Sequence, residues 1–150
     1  MADRFMYVTY IRTTPEKLWD ALTDPASNKL YWFGAAMQSE WKQGVPWKIV
    51  LPDGRTADMG EIVEIKKPKK IVIKWRNEFM PEMKAEGWAR CTIELEPAAE
   101  SVKLTVIHEI DRDESKFIQA VSGGWPKILS GLKSLLETGK PLGDLAPGPK

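Results

Sequence analysis

Ser122-Gly-Gly-Trp-Pro-Lys-Ile-Leu-Ser-Gly-Leu-Lys-Ser-Leu-Leu-Glu-Thr-Gly139 is the stretch of sequence that decides the fold. After its two leading glycines, apolar residues recur at intervals of three and four. They are Trp125, Ile128, Leu129, Leu132, Leu135 and Leu136. That spacing places them on one face of a helix, with charged and small polar residues on the other. So wide an apolar face needs a large apolar partner. We therefore expect a long C-terminal helix packed into a curved antiparallel sheet formed by the middle of the chain.

The composition bounds the class of protein. A chain of 150 residues suits one domain of common size. Its 22 basic and 21 acidic residues give a net charge of +1, which provides no field for nucleic acid or an anionic membrane. The single cysteine, Cys91, cannot form an intramolecular disulfide or a cysteine-based metal site, and we expect an inert buried thiol and no metal or cofactor. No apolar run is long enough to span a membrane and no signal peptide is evident, so we expect a soluble cytoplasmic protein.

The N-terminal part of the chain predicts one strand followed by two short helices. Residues 5–12 are rich in tyrosine, valine, threonine and isoleucine, which favour a strand. Thr14 and Asp24 each precede a proline, and this pair of residues is typical of a helix start. The second helix is predicted to run through Tyr31, Trp32 and Phe33.

The middle of the chain predicts six further strands, because its apolar residues recur with a period of two. Their predicted bounds are residues 37–42, 45–51, 57–66, 70–77, 88–96 and 102–110, with a loop at 78–86. Residues 113–121 predict a helical lead-in that is broken or kinked at Gly123-Gly124 and Pro126. The two glycines are expected to let the helix approach the sheet closely. The chain is thus predicted to form a single domain over residues 1–138, followed by a flexible, proline-containing tail over 139–150.

Several segments together resemble a known family. They are Thr14-Pro-Glu-Lys-Leu-Trp-Asp-Ala-Leu-Thr-Asp-Pro25, Asp53-Gly54, Gly60-Glu-Ile-Val-Glu-Ile65, Ile73-Lys-Trp75 and Gly124-Trp125. In order and spacing, over about residues 5–137, they resemble the branch of the START/Bet v 1-like (SRPBCC) superfamily related to the Hsp90 ATPase activator homologue. The resemblance implies an α+β helix-grip fold with about seven strands, two short helices after the first strand and a long C-terminal helix. It also implies a deep apolar cavity between sheet and helix, in which members bind lipids, polyketides or other apolar molecules and a minority catalyse cyclisation or hydrolysis.

Seven tryptophans suggest an aromatic wall for that cavity, although each alone is better explained as ordinary core. Trp75, Trp88 and Trp125 are expected to face the interior, and methionines are expected to supply an adaptable rim. The full set of candidate cavity residues is Trp32, Met37, Trp47, Met59, Trp75, Phe79, Met83, Trp88, His108, Trp125 and Leu129.

His108 is the only histidine, and alternation places it on the inner face of the last strand. It is a candidate general acid–base or, more simply, a core histidine bonded to backbone and to a tryptophan or tyrosine. Glu61 and Asp58 lie where the alternation of the third of these strands is blurred. An inward Glu61 would be a functional candidate, but we expect it to point outward because neighbouring isoleucines need the interior.

The residues leave three functions open. The first is non-catalytic binding of an apolar or aromatic small molecule. The second is a small cyclase or hydrolase that uses His108 with Glu61, Tyr7 or Tyr10. The third, ranked last, is a chaperone-related protein-binding module, because no large exposed apolar patch is evident. The lysine-rich residues 66–70 predict a solvated turn rather than a nucleic-acid site. Pairing of two copies through the sheet stays open.

Overall fold

The fold is a single antiparallel sheet covered by a long helix. The structure is a computed structural model that describes residues 2–143 of the chain. Within that part, the sheet has the order β1-β7-β6-β5-β4-β3-β2. The strands are β1 (Asp3–Ile11), β2 (Ala36–Ser39), β3 (Pro46–Val50), β4 (Thr56–Lys66), β5 (Lys70–Asn77), β6 (Ala89–Ala98) and β7 (Ser101–Ile110), and the helices are α1 (Pro15–Thr23), α2 (Pro25–Tyr31), α3 (Pro81–Lys84) and α4 (Lys116–Thr138). The predicted α+β helix-grip fold is confirmed.

Alternation along the strands gives the sheet a buried inner face. One row of that face joins His108 on β7 to Cys91 on β6, and Cys91 to Ile73 on β5. All three side chains are buried, and so are Leu129 and Leu132 of α4. The core therefore lies between this face and α4, as the spacing of the C-terminal stretch predicts. Burial raises the pKa of the Cys91 thiol, in agreement with the predicted inert cysteine.

The two short helices begin where the sequence predicts. The Thr14 hydroxyl accepts a hydrogen bond from the Lys17 amide at 3.2 Å, and the Asp24 carboxylate accepts one from the Ser27 amide at 3.2 Å. α2 ends at Tyr31 rather than continuing through Phe33, because Phe33 has a left-handed φ of 54° that a helix cannot accommodate. This ending turns the chain so that Trp32 faces the core.

A buried amide that the sequence did not indicate joins α1, α2 and β2. The Asn28 Nδ2 group donates to the Ala21 carbonyl at 3.1 Å, and its Oδ1 atom accepts from the Met37 amide at 2.9 Å. The Tyr31 hydroxyl donates to the same Ala21 carbonyl at 2.7 Å. Asn28 is fully buried, so each of these bonds replaces one that water would otherwise make. The network fixes the end of α2, from which Trp32 projects.

α4 is one continuous helix, so a break at Gly123-Gly124 and Pro126 does not occur, and the alternative of a kink there stays a prediction. Helix-breaking residues lower the intrinsic preference for helix, but burial of the helix against the sheet outweighs that preference. Buried residues occur on both sides of the expected break, at Phe117 and Ile118 before it and at Trp125 after it. Packing therefore holds the helix through its weakest segment.

The two glycines also do not bring α4 close to the sheet. A Cβ atom added at Gly123 or Gly124 would meet no atom within 4 Å, whereas one added at Gly131 would lie 3.2 Å from the Tyr31 Cβ atom. The close approach that glycine permits is thus at Gly131, against α2. The expectation placed it about two helical turns too early, and against the sheet rather than α2.

Both ends of α4 are tied to the rest of the domain. At its N-terminus the Ser115 hydroxyl accepts from the Ile118 amide at 3.0 Å and donates to Glu86 Oε1 at 2.5 Å, and Glu86 Oε2 accepts from the Lys116 amide at 2.8 Å. Partial burial pushes the pKa of Glu86 upward, but these hydrogen bonds outweigh it and the net shift is downward. At the other end, the Glu137 carboxylate accepts from the Arg12 amide at 2.8 Å, next to β1.

The remaining features are a loop, a lysine-rich turn and the C-terminal tail. The residue 78–86 segment, predicted as a loop, contains the short helix α3. Lys66, Lys67 and Lys69 are exposed around a turn, as predicted. No helix among residues 2–143 has both the length and the apolar character needed to cross a membrane. Most of the predicted flexible tail, residues 144–150, lies outside the described residues.

Candidate functional site

A pocket of about 170 Å³ lies between the inner face of the sheet and the first half of α4. We call it the tryptophan pocket. Its walls come from the end of α2, from β4 and β5, from α3 and from α4. The bordering residues are Trp32, Asp58, Trp75, Asn77, Met83, Phe117, Ala120, Val121, Gly124, Trp125 and Ile128. This pocket lies where the family resemblance predicts a cavity, between sheet and helix. It is much smaller than the deep cavity that the resemblance implies.

Tryptophan side chains fill much of the remaining space. The Trp75 ring is central: its centroid lies 4.4 Å from that of Trp47, 6.0 Å from that of Trp125 and 6.4 Å from that of Trp32. Trp32 and Trp125 also meet edge to face, with centroids 5.3 Å apart. Such pairs contribute about 0.5–1.5 kcal/mol beyond the area they bury. The cluster therefore forms a rigid wall for the tryptophan pocket.

Gly60 allows two of these indoles to meet. It lies between Trp47 and Trp75 in the register of β3, β4 and β5. A Cβ atom at this position would lie 1.6 Å from the Lys74 carbonyl oxygen, so no other residue fits without separating the strands. The empty position on β4 leaves room for the two flanking rings to come into contact.

His108 lies beside this cluster but does not border the pocket. Its Nδ1 atom accepts a hydrogen bond from the Trp125 indole at 3.1 Å, which places the proton of the neutral ring on Nε2. Nε2 has no hydrogen-bond partner among the described residues. Complete burial lowers the pKa of His108 to about 3. The side chain is therefore a neutral core histidine at neutral pH, of the simpler kind that the sequence suggested, although only one nitrogen is bonded.

The structure does not bring together the catalytic pair that the sequence suggested. Glu61 is exposed, as expected, and lies opposite Lys74 on β5. β4 is separated from β7 by β5 and β6, so Glu61 and His108 are three strand spacings apart, roughly 14 Å. Tyr10 is also exposed. Neither residue can share a substrate atom with His108. Tyr7, the third expected partner, is half-buried on β1 opposite Val106 and does not border the tryptophan pocket, so no catalytic pair with His108 lies at this site.

Asp58 is the buried carboxylate of the site. Its Oδ2 atom accepts hydrogen bonds from the Trp75 indole at 2.7 Å and from the Asn77 amide at 3.5 Å. Only 9% of the residue is exposed, and burial raises the pKa of Asp58 to about 6, assisted by the nearby negative charge of Glu78. Asp58 is thus the group at this pocket whose charge changes nearest to neutral pH.

Four of the predicted cavity residues border the tryptophan pocket: Trp32, Met83, Trp75 and Trp125. Four more are buried in the adjacent core without bordering it, and these are Met37, Trp47, His108 and Leu129. The structure thus brings eight of the eleven together on the inner side of the sheet.

The other three predicted residues do not border the tryptophan pocket, and the expected interior placement of Trp88 is wrong. Trp88 is 40% exposed, with the Lys74 ammonium 4.8 Å and the Arg76 guanidinium 4.4 Å from its ring, which places it on the outer face. Met59 follows the inward Asp58 and so points outward. Phe79 lies in the turn after β5 and is 46% exposed beneath the Arg55 guanidinium.

Apart from Trp125, the α4 residues that border the pocket were not among the predicted cavity residues. Phe117, Val121, Gly124 and Ile128 recur at intervals of four, three and four, which is the same helical periodicity as the main stripe. Extending that stripe backward through the glycines would have identified them. Among residues 2–143, no group of three or more His, Cys, Asp and Glu side chains could hold a metal ion.

One family model matches most of the chain. The family model described as activator of Hsp90 ATPase homologue 1-like protein matches residues 12–137. A search of curated proteins found no match.

Solved structures with this fold include three of particular interest. The solution structure of the Aha1 dimer from Colwellia psychrerythraea is 18% identical with a TM-score of 0.74, over 92% of this chain and 98% of that one. An Hsp90 activator from Plasmodium falciparum is 24% identical with a TM-score of 0.72, over 89% and 95%. DynU16, a putative protein of the dynemicin biosynthetic locus, is 19% identical with a TM-score of 0.74, over 93% of this chain and 49% of that one.

These structural likenesses concern the fold. The family match covers most of the chain, from the end of β1 to the last turn of α4, and includes every element that borders the pocket. The chain therefore belongs to the family of activator of Hsp90 ATPase homologue 1-like proteins.

Proposed function

We propose that the protein binds a small apolar or aromatic molecule in the tryptophan pocket. The observation that carries this proposal is the open space of about 170 Å³ beside three indole rings. A dry apolar cavity of about 150 Å³ is large enough to hold benzene. A one-ring or small two-ring ligand therefore matches the space, whereas a lipid or a polyketide would require the lining side chains to move.

We infer binding without chemical change, because the pocket lacks the partners that catalysis needs. Asp58 is the only titratable residue among those that border it. His108, the other candidate, does not border the pocket and stays neutral because it is buried. A lone carboxylate can orient a ligand, but it has no nucleophile or second acid–base group beside it.

Related folds support two kinds of role. DynU16 belongs to a biosynthetic locus, and the Plasmodium falciparum protein is described as an Hsp90 activator. The tryptophan pocket favours a small molecule over a protein partner for this chain, since concave apolar sites with a few polar groups are typical of small-molecule binding.

Binding of one-ring aromatic compounds, followed by native mass spectrometry and tryptophan fluorescence, tests the proposal. Two adjacent glycines of α4 provide matched variants. Gly124 borders the pocket and Gly123 does not, yet a side chain at either position would meet open space. We expect Gly124→Leu to fill the pocket and abolish binding, and Gly123→Leu to bind like the unmodified protein. The proposal is refuted if no compound binds, or if both variants bind equally well.

A second copy of the chain is a further proposed partner. β1 is an edge strand of the described sheet, and its outward residues Met6, Val8 and Tyr10 are 54%, 37% and 52% exposed. An exposed apolar edge is suited to pairing, and the Colwellia psychrerythraea protein with this fold is a dimer. Light scattering on the purified protein should give the mass of two chains, and Met6→Lys should give that of one. A single-chain mass for the unmodified protein at high concentration rules out this partner.

A further inference from the structure

The Asp58 carboxylate has one oxygen that the protein engages and one that it leaves available. Oδ2 accepts from Trp75 and Asn77. No donor among the described residues bonds to Oδ1, and yet Oδ1 is not one of the buried polar atoms left without a partner. Oδ1 is therefore accessible, and the space that Asp58 borders is the tryptophan pocket. A buried carboxylate is costly unless its oxygens are bonded, so this oxygen provides an acceptor for a ligand.

The charge around the pocket has one sign. Of the eleven bordering residues, Asp58 alone carries a charge, and the others are aromatic, aliphatic or amide side chains. The further charge that acts on Asp58 is that of Glu78, which is also negative. Glu78 is paired with Arg76 at 2.5 Å and with Lys84 at 3.1 Å, so those cations are already engaged. A negative charge among indole rings favours a cation and disfavours an anion.

Resting on the proposed function, we propose that the tryptophan pocket selects aromatic ligands that carry a cationic nitrogen group, with the ring against Trp32, Trp75 and Trp125 and the N–H groups donating to Asp58 Oδ1. The class includes aromatic amidines and amines of one or two rings. The indoles supply apolar contact and cation–π attraction, and the carboxylate supplies a charge-assisted hydrogen bond that fixes orientation.

The protonation of Asp58 should then control affinity. Burial raises the pKa of Asp58 to about 6, so the carboxylate is mostly protonated at pH 5 and mostly ionised at pH 7. Glu78 is the other acid that acts on it, while the residues that α3 and α4 direct to the pocket are uncharged, as is Ile49 opposite Asp58 on β3. A cationic ligand should therefore bind more tightly at pH 7 than at pH 5, and a neutral ligand of the same shape should not.

Benzamidine, benzamide and benzoate provide the test, because they share a shape and carry positive, zero and negative charge. Titration of the full-length protein, followed by tryptophan fluorescence and ligand-observed NMR, gives the three affinities at pH 5 and pH 7. We expect benzamidine to bind at least about tenfold more tightly than benzamide at pH 7, and benzoate to bind least. In Asp58→Asn, the Trp75 indole keeps an acceptor, and the preference for benzamidine and its pH dependence should both disappear while benzamide still binds.

The outcomes separate this inference from the proposed function. If none of the three compounds binds, and the pocket-filling Gly124→Leu variant behaves like the unmodified protein with every aromatic tested, the proposed function fails. Suppose instead that benzamide binds the unmodified protein and loses that binding in Gly124→Leu. If benzamidine then binds no more tightly than benzamide, or keeps its preference in Asp58→Asn, only the selection of cations is overturned.

Discussion

Replacing Gly123 by alanine should stabilise the protein. Glycine in a helix interior is about 0.8–1.0 kcal/mol less favourable than alanine, because it loses more backbone freedom on folding. Gly123 and Gly124 lie well inside α4, and an added Cβ atom at either would meet nothing within 4 Å. The full propensity gain should therefore appear in the free energy of unfolding. We expect about 0.9 kcal/mol for each substitution and about twice that for both together.

Gly131→Ala provides the contrast within the same helix. Its Cβ atom would lie 3.2 Å from the Tyr31 Cβ atom. Tyr31 cannot easily move away, since it is buried and its hydroxyl is bonded to the Ala21 carbonyl at 2.7 Å. The strain should cancel the propensity gain, so we expect Gly131→Ala to be no more stable than the unmodified protein, or less stable.

Urea unfolding followed by circular dichroism measures these differences, with an unchanged slope showing that the denatured state is the same. In thermal melts, each stabilising change should raise Tm by about 2–4 °C for a chain of this size. A loss of stability in Gly123→Ala would show that α4 is not a regular helix at this point. An equal gain in Gly131→Ala would show that α2 and α4 do not touch there. Either result refutes the reasoning.

Three further predictions follow from the same structure. Glu86→Gln should lower the free energy of unfolding in urea by about 1 kcal/mol, because it removes a charged acceptor at the N-terminus of α4. The control Glu82→Gln should change it by less than about 0.5 kcal/mol, since that carboxylate makes an exposed ion pair. Trp88→Ala should lower the free energy of unfolding far less than the roughly 3–5 kcal/mol typical of a core tryptophan, because its ring is on the outer face. The third concerns pH. Because the pKa of His108 is lowered in the folded state, the unfolded chain binds more protons below pH 6.5, and stability falls as pH falls. Because the pKa of Asp58 is raised, the folded state binds more protons between about pH 4 and 6, and stability falls as pH rises. The two contributions to the slope of unfolding free energy against pH, about 1.4 kcal/mol per pH unit each, oppose one another. Urea titrations should therefore show that Asp58→Asn loses more stability than the unmodified protein between pH 6 and pH 4. An equal loss in both would contradict these shifts.

Much of the fold could be predicted because local signals agree with it. The strand Lys70–Asn77 was predicted with its observed bounds, since Ile71, Ile73 and Trp75 alternate with outward residues. Strict alternation, applied from Cys91, would have predicted that Trp88 points outward. Cys91, three residues later, was predicted to point inward, and an odd separation places Trp88 on the opposite face.

The site itself could be predicted only in part, because it depends on long-range pairing. β4 carries a register shift between Ile62 and Glu64 in its pairing with β5, and such a bulge changes which residues face inward. Alternation alone therefore could not decide between Asp58 and Met59. The bond from the Trp75 indole to Asp58 joins residues 17 positions apart through that irregular pairing. Neither its existence nor the accessible Oδ1 atom is visible in the sequence.

The segment of α4 over the pocket has low helix propensity, and no close packing contact explains its glycines. Gly123, Gly124 and Pro126 all lower helix propensity, and neither glycine is needed for a close contact. Such departures are expected at functional sites, where stability is given up for another purpose. The proposed ligand supplies that purpose at Gly124, because any side chain there would occupy the tryptophan pocket. Gly123 faces solvent, and no contact in the structure accounts for it. If the ligand is the reason for Gly124, then Gly124→Ala should stabilise the protein and weaken aromatic binding together, whereas Gly123→Ala should stabilise it and leave binding unchanged.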